Sequence, residues 1–183
     1  MHFKISQTYN NAEKNILLIL SMKNLIYILL LFLSFTGLKA QQSTVPSIKY
    51  EELEKRIQQE GDKFLVVNFW STTCAPCVKE LPHFMEVNNQ YKDNPKFKML
   101  LISLDRLVDK ERVIKFIKNK NLTAEVILLD DIKRMNTWIP RFEKDWDGNI
   151  PVTLFYKNGE KVHFNDGEMS KEELQNTITK YIP

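Results

Sequence analysis

Two cysteines, Cys74 and Cys77, are the residues of this 183-residue chain best suited to covalent chemistry. They are the only cysteines in the sequence and stand three positions apart. A disulfide between such close neighbours restricts the unfolded chain little, so stability is a weak reason for the pair. Reactivity is the better explanation, because a Cys-x-x-Cys pair can alternate between dithiol and disulfide.

The segments around the pair predict how it is positioned. Residues 64–70 form a nearly continuous apolar run, which is typical of a strand buried on both faces. A short polar turn follows, and a helical pattern extends over residues 76–91. Cys74 then lies at a helix N-terminus, where free N–H groups and the helix dipole favour a thiolate. We expect Cys74 to be the exposed nucleophile and Cys77, within the first turn, to be the more buried resolving thiol.

Two other uses of the cysteines remain open. A zinc site needs four ligands, and His83 and His163 are the histidines outside the N-terminal region that could complete one. An inert structural disulfide is the second alternative. The position of the pair between a strand and a helix favours redox chemistry over both.

The rest of the chain shows strand and helix patterns in alternation. Its length and its composition, 43% hydrophobic and 27% charged, are typical of one soluble globular domain. The predicted strands are residues 64–70, 97–103, 125–129, 151–156 and 161–165. The predicted helices are residues 48–61, 76–91, 109–118 and 170–182, with a short helix within residues 131–142 that breaks at Pro140. Trp138, Phe142 and Trp146 either border a substrate groove or cap an edge of the core.

The N-terminal 40 residues have the features of a targeting segment. Lys23 precedes the apolar run 25–35, and Ala40 provides a small residue at a plausible cleavage position. We expect Met22 to be the true start, residues 22–40 to be a signal peptide, residues 41–46 a linker and residues 47–183 the folded domain. A retained membrane anchor is the alternative, although Lys23 interrupts the apolar span. In both cases the domain is expected outside the cytoplasm, in the periplasm or cell envelope, and membrane association only if the segment is retained.

The charge distribution argues against a nucleic-acid partner. Four lysines against one glutamate in residues 1–40 account for the whole formal net charge of +3, so the remaining chain is neutral. A neutral domain lacks the basic surface that nucleic-acid binding requires. The basic stretch within residues 110–120, which contains Arg112, is expected to be the solvated face of a helix.

Residues 69–82, FWSTTCAPCVKELP, resemble the active-site segment of the TlpA/ResA-like branch of the thioredoxin superfamily. The order of predicted elements from about residue 47 onward is similar too. The resemblance implies an α/β, thioredoxin-like fold with a central mixed β-sheet flanked by helices. It also implies a thiol–disulfide oxidoreductase that uses no cofactor beyond its own redox-active disulfide, Cys74–Cys77.

The resemblance extends to individual positions near the motif. The segment 149–153 is similar to the family's cis-proline loop, which implies that Pro151 and Ile150 lie beside Cys74 and bind an extended substrate segment. A trans proline that begins an edge strand is the alternative. Trp70 matches the tryptophan ahead of the motif and is assigned to substrate binding, with a plain core position as the alternative.

Glu80 matches the acidic residue that follows the motif in this branch. It is expected to act in catalysis by relaying protons and adjusting the thiol pKa values, with a solvated helix charge as the alternative. Asn68 stands where cytosolic thioredoxins have a buried aspartate, and Thr73 stands where they have a tryptophan. Because Asn68 cannot act as a base, these departures make Glu80 a stronger candidate for proton transfer.

The implied function is reduction of disulfides in exported proteins. A membrane thiol electron donor would then reduce the Cys74–Cys77 disulfide again. In related proteins one client class is apocytochrome c, so a role in cytochrome c maturation is expected as well. A disulfide oxidase or isomerase, and a non-catalytic thioredoxin-like binding module, are the alternatives. The dipeptide Ala75–Pro76 differs from that of relatives and leaves the direction of electron flow open.

Overall fold

A computed structural model describes residue 23 and residues 45–182. The expected signal peptide or anchor, apart from residue 23, lies outside the described residues. Val45 and Pro46, which the sequence assigned to the linker, already pack with the domain, since Val45 is buried and the Pro46 carbonyl accepts a hydrogen bond from Leu128. No helix within the described part of the chain has the length and hydropathy of a membrane span.

Strands and helices alternate along residues 45–182. The strands are β1 (Ser47–Ile48), β2 (Phe64–Trp70), β3 (Phe97–Ser103), β4 (Glu125–Leu129), β5 (Val152–Lys157) and β6 (Glu160–Asp166). The helices are α1 (Tyr50–Gln59), α2 (Ala75–Tyr91), α3 (Lys110–Lys120), α4 (Met135–Phe142) and α5 (Lys171–Tyr181). Short 3₁₀ turns at Leu107–Asp109 and Ile132–Arg134 precede α3 and α4.

The strands form one mixed sheet in the order β1-β4-β3-β2-β5-β6. β2 is parallel to β3 and antiparallel to β5, and every one of its residues is buried. Helices α2, α3 and α5 supply buried residues to the core on one face of the sheet, and α1 and α4 supply them on the other. The predicted α/β, thioredoxin-like architecture is therefore confirmed, and the strand that leads to the cysteines lies at its centre.

Several local predictions need correction. Ile48 was assigned to the first helix, but it pairs with Leu129 in β1, because the chain adds a two-residue edge strand before α1 begins. The predicted break at Pro140 is wrong, because α4 continues to Phe142. Only two residues follow this proline in the helix, so little of the helix depends on the hydrogen bond that proline cannot donate.

The aromatic residues before the proline loop belong to the core. Trp138, Phe142 and Trp146 are 0%, 6% and 3% exposed, and the rings of Phe69 and Trp146 lie 4.9 Å apart. The groove alternative for these three residues is therefore wrong. Trp146 also donates from Nε1 to the Asn149 carbonyl at 2.7 Å, which attaches the proline loop to the core.

Candidate active site

The two cysteines lie where the central strand gives way to a helix. β2 ends at Trp70, residues 71–73 form the turn, and Cys74 is the N-cap of α2. The Cys74 Sγ accepts a hydrogen bond from the backbone N–H of Cys77 at 3.3 Å, and the two sulfurs are joined in a disulfide. Cys74 is partly exposed whereas Cys77 is fully buried, so the expected difference in exposure is present. The roles of nucleophile and resolving thiol stay predictions.

The proline loop lies beside Cys74. The peptide bond between Ile150 and Pro151 is cis, so the trans alternative is excluded. The carbonyl oxygen of Ile150 is 3.6 Å from the Cys74 Sγ, and the carbonyl of Pro151 accepts a hydrogen bond from the N–H of Gly167. Ile150 is half-buried and Pro151 is buried. The loop thus presents the backbone of Ile150, rather than a large side-chain surface, next to the reactive sulfur.

Glu80 lies one turn beyond Cys77 on α2 and is completely buried, so the surface-charge alternative is wrong. Its two carboxylate oxygens accept hydrogen bonds at 2.8 Å from the side-chain amide of Asn68 and from the backbone N–H of Met169. Burial raises the pKa of Glu80 to about 7, although both hydrogen bonds favour the charged form. A carboxyl with this pKa can take up or release a proton near neutral pH.

Asn68 links this carboxyl to the strand that follows the proline loop. Its amide nitrogen donates to Glu80 and, at 3.1 Å, to the hydroxyl of Thr153 on β5. Residues from α2, β2 and β5 and the turn at Met169 therefore meet around Glu80. Sequence reasoning assigned no role to Met169 or Thr153, although Thr153 ends the segment 149–153 that resembles the cis-proline loop.

Trp70 does not lie on the substrate side of the site. Its side chain is 0% exposed and packs against Phe116, with ring centroids 5.3 Å apart. Its assignment to substrate binding is therefore corrected: the indole has no free surface for a substrate, and it supports the strand end from within the core.

A second carboxylate, also missed by sequence reasoning, contacts the turn before Cys74. Asp105 follows β3, is 4% exposed, and accepts hydrogen bonds from both the backbone N–H and the hydroxyl of Thr72. Arg112 of α3 donates to Asp105 and to the Thr72 hydroxyl, so it does more than form a solvated helix face. One signal was available: β2 and β3 are parallel, so polar residues at their carboxyl ends meet at one edge of the sheet.

No group of three or more His, Cys, Asp and Glu side chains in the described structure is placed to hold a metal ion. His163 is exposed on β6, with its ring 5.4 Å from that of Phe155.

Comparison with known proteins places the chain among redox proteins of this fold. The AhpC/TSA family model matches residues 36–163. A thiol-disulfide oxidoreductase named ResA from Bacillus cereus (strain ZK / E33L) is 28% identical over 148 residues, which are 80% of this chain and 79% of that protein. A thioredoxin from Ophiophagus hannah is 30% identical over 131 residues, 72% of this chain and 91% of its own length.

A solved structure supports the fold independently. The thiol:disulfide interchange protein of the thioredoxin family from Chlorobium tepidum TLS superposes with a TM-score of 0.57 at 20% identity. The match covers 68% of this chain and 83% of that one. With its Cys-x-x-Cys pair at the start of α2, the chain belongs to the AhpC/TSA family of the thioredoxin superfamily and is a thiol–disulfide oxidoreductase similar to ResA proteins.

Proposed function

We propose that this oxidoreductase reduces disulfides in exported proteins through Cys74 and Cys77. The observation that supports it best is the partly exposed Cys74, whose sulfur caps α2 and lies 3.6 Å from the Ile150 carbonyl. In the reduced protein, the N–H of Cys77 and the positive end of the helix dipole stabilise a thiolate at this position. The substrate disulfide would then reach the Cys74 sulfur from the side on which the proline loop lies.

The exchange takes two displacement steps. The Cys74 thiolate attacks one sulfur of the partner disulfide, so that a mixed disulfide forms and the other partner sulfur leaves as a thiolate. Cys77 then loses its proton and attacks the Cys74 sulfur, which forms the Cys74–Cys77 disulfide and releases the second partner thiolate. Two electrons pass from the enzyme to the partner, and both released thiolates take up protons.

Glu80 is the proposed acceptor of the Cys77 proton. The two residues are three positions apart on α2, so their side chains share one face of the helix. Cys77 is fully buried, so water has no direct access to its thiol, and a buried carboxylate is the available base. Because the pKa of Glu80 is about 7, part of the population is ionised and ready to act at neutral pH.

Ile150 and Pro151 are the proposed docking residues for the substrate. The cysteine of a substrate disulfide must reach the Cys74 sulfur, and the backbone of Ile150 is next to it. An extended substrate segment would pair with that backbone, as extended peptides do when they add to an exposed strand.

The proposed partners follow from the class of the enzyme. Homologues that are thiol–disulfide oxidoreductases act on disulfide-containing proteins, and we assign to this chain exported proteins of that kind, with apocytochrome c as one client. The spent disulfide would be reduced again by a thiol donor in the membrane. The proposed location is the periplasm or cell envelope, and intact-mass measurement of protein recovered there would test cleavage after Ala40.

The reduction potential of the Cys74–Cys77 couple tests the proposed direction. A value near that of thioredoxin, about −270 mV, supports a reductase, whereas a value near about −120 mV would contradict it and support an oxidase. Matched serine variants test the mechanism: C77S should accumulate a mixed disulfide on Cys74, and C74S should exchange nothing. Full activity of C74S would overturn the assignment of the nucleophile.

A further inference from the structure

A buried carboxylate anchors the turn that leads into Cys74. Asp105 accepts hydrogen bonds from the backbone N–H of Thr72 at 2.9 Å and from the Thr72 hydroxyl at 2.5 Å. The hydroxyl of Ser103 donates to the same carboxylate at 2.9 Å. Two residues before Cys74, the chain is therefore fixed to the end of β3 through both its backbone and its side chain.

Arg112 balances the charge of this carboxylate. Its Nη2 donates to Asp105 at 3.0 Å, and its Nε donates to the Thr72 hydroxyl at 2.9 Å. The Arg112 side chain is 47% exposed, whereas that of Asp105 is 1% exposed. Burial by itself would raise the pKa of Asp105, but the hydrogen bonds from Thr72 and Arg112 hold it below its ordinary value. Asp105 is therefore a fixed negative charge at neutral pH.

We propose that Asp105 and Arg112 are positioning residues for disulfide exchange: together they hold the turn at 71–73, and their opposite charges set the stability of the Cys74 thiolate. This inference rests on the proposed function of the cysteine pair. The thiolate depends on the N-cap position of Cys74, which the anchored turn fixes. It also responds to nearby charge, which disfavours the thiolate when negative and favours it when positive.

The two charges make opposite predictions. Arg112→Gln leaves the carboxylate without its cation, so the Cys74 pKa should rise and the disulfide should become harder to reduce. Asp105→Asn removes the buried negative charge and leaves the guanidinium with only its more exposed partner, Asp109, at 3.2 Å, so the Cys74 pKa should fall and the disulfide should become easier to reduce. Each variant should change the equilibrium constant with glutathione by about threefold to tenfold, where tenfold corresponds to about 30 mV. The double variant D105N/R112Q should return close to the wild-type value.

The experiment measures the Cys74 pKa from thiolate absorbance and the equilibrium with glutathione for the full protein and each variant. Arg106→Gln is the matched control, because Arg106 shares the partner Asp109 with Arg112, whereas it is Arg112 that donates to Thr72 of the turn. Arg112→Lys keeps the charge and loses the planar donor group, so its Cys74 pKa should stay within the range of Arg106→Gln. If D105N does not fold, the contrast between R112Q and R112K carries the test.

If the Cys74 pKa shifts in opposite directions in R112Q and D105N, the inference is supported, because a general loosening of the turn would move both pKa values in one direction. Shifts of the same sign, or values for both that match R106Q, would overturn it. An R112K shift as large as that of R112Q would also overturn the assigned role of charge. If the wild-type protein exchanged no disulfides at all, the proposed function would fail, yet the pKa comparison would still test the charge effect.

Discussion

Two buried carboxylates border the redox-active cysteines, and their surroundings give them opposite properties. Glu80 receives hydrogen bonds from neutral donors, the amide of Asn68 and the N–H of Met169, and burial raises its pKa to about 7. Asp105 also receives a guanidinium donor from Arg112, and its pKa lies below the ordinary value. The difference shows that burial alone does not decide the state of a carboxyl. The hydrogen bonds from Thr72, together with those from Arg112 and Ser103, outweigh burial at Asp105 and keep it charged, whereas burial prevails at Glu80.

The pH dependence of stability should separate the two groups most strongly. The folded-state pKa of Glu80 lies above its unfolded value, so the folded state binds more protons between about pH 4.5 and pH 7 and loses stability as the pH rises. Between about pH 5 and pH 8, the free energy of unfolding of the oxidised wild-type protein should fall by on the order of 3 kcal/mol more than that of oxidised Glu80→Gln. Urea unfolding across this range measures it.

Asp105→Asn provides the contrast in the same experiment. The folded-state pKa of Asp105 is depressed, so its contribution is complete above the unfolded pKa and is lost only as the pH falls through the folded value. D105N should therefore keep the wild-type slope at neutral pH. A D105N protein whose slope is as flat as that of E80Q would contradict the distinction between the carboxylates.

The second displacement step should depend on Glu80 far more than on Asp105. Without a base for the Cys77 proton, E80Q should resolve the mixed disulfide more slowly by on the order of 100-fold at neutral pH. D105N retains that base, so its effect on this step should stay below about tenfold. Quenched single-turnover reactions with a disulfide-bonded peptide would show the mixed disulfide accumulating in E80Q. Equal rates in E80Q and the wild type would remove Glu80 from the mechanism.

Truncation should show that Asp105 is also a structural anchor. Asp105→Ala removes the acceptor for Thr72 and Ser103 and should lower the free energy of unfolding by about 2 kcal/mol. Asp109→Ala removes a carboxylate that is more exposed than Asp105 and pairs with the exposed side chains of Arg106 and Arg112, so it should cost less than about 1 kcal/mol. Urea unfolding of both variants checks this, and equal losses would mean that the turn does not depend on Asp105.

The sequence predicted those parts of the site that local pattern and family resemblance carry. The strand, turn and helix around Cys74 and Cys77 follow from apolar runs and helical spacing, and the cis bond at Pro151 follows from the resemblance. Asn158 and Gly159, in the turn between β5 and β6, have the positive backbone φ angles that this dipeptide favours in a hairpin.

What the sequence could not settle depended on contacts between distant segments. A helix residue such as Glu80 can face water or the core, and its partner Met169 is 89 residues away. Arg112 occurs in a run of lysines that predicts a solvated surface, and its contact with Thr72 exists only because α3 packs near the end of β2. The two-residue strand β1 is too short to produce a periodic pattern.

The smallest predicted effect concerns Asn68, the side-chain donor to Glu80. Asn68 donates to the ionised carboxyl, so Asn68→Ala should raise the pKa of Glu80 further. The midpoint of the stability loss should then move upward by about half to one pH unit. Thr153→Val is the matched control, because it removes the other acceptor of the Asn68 amide without touching Glu80. A midpoint that stayed in place in N68A would mean that burial sets the pKa of Glu80 without a measurable contribution from the amide.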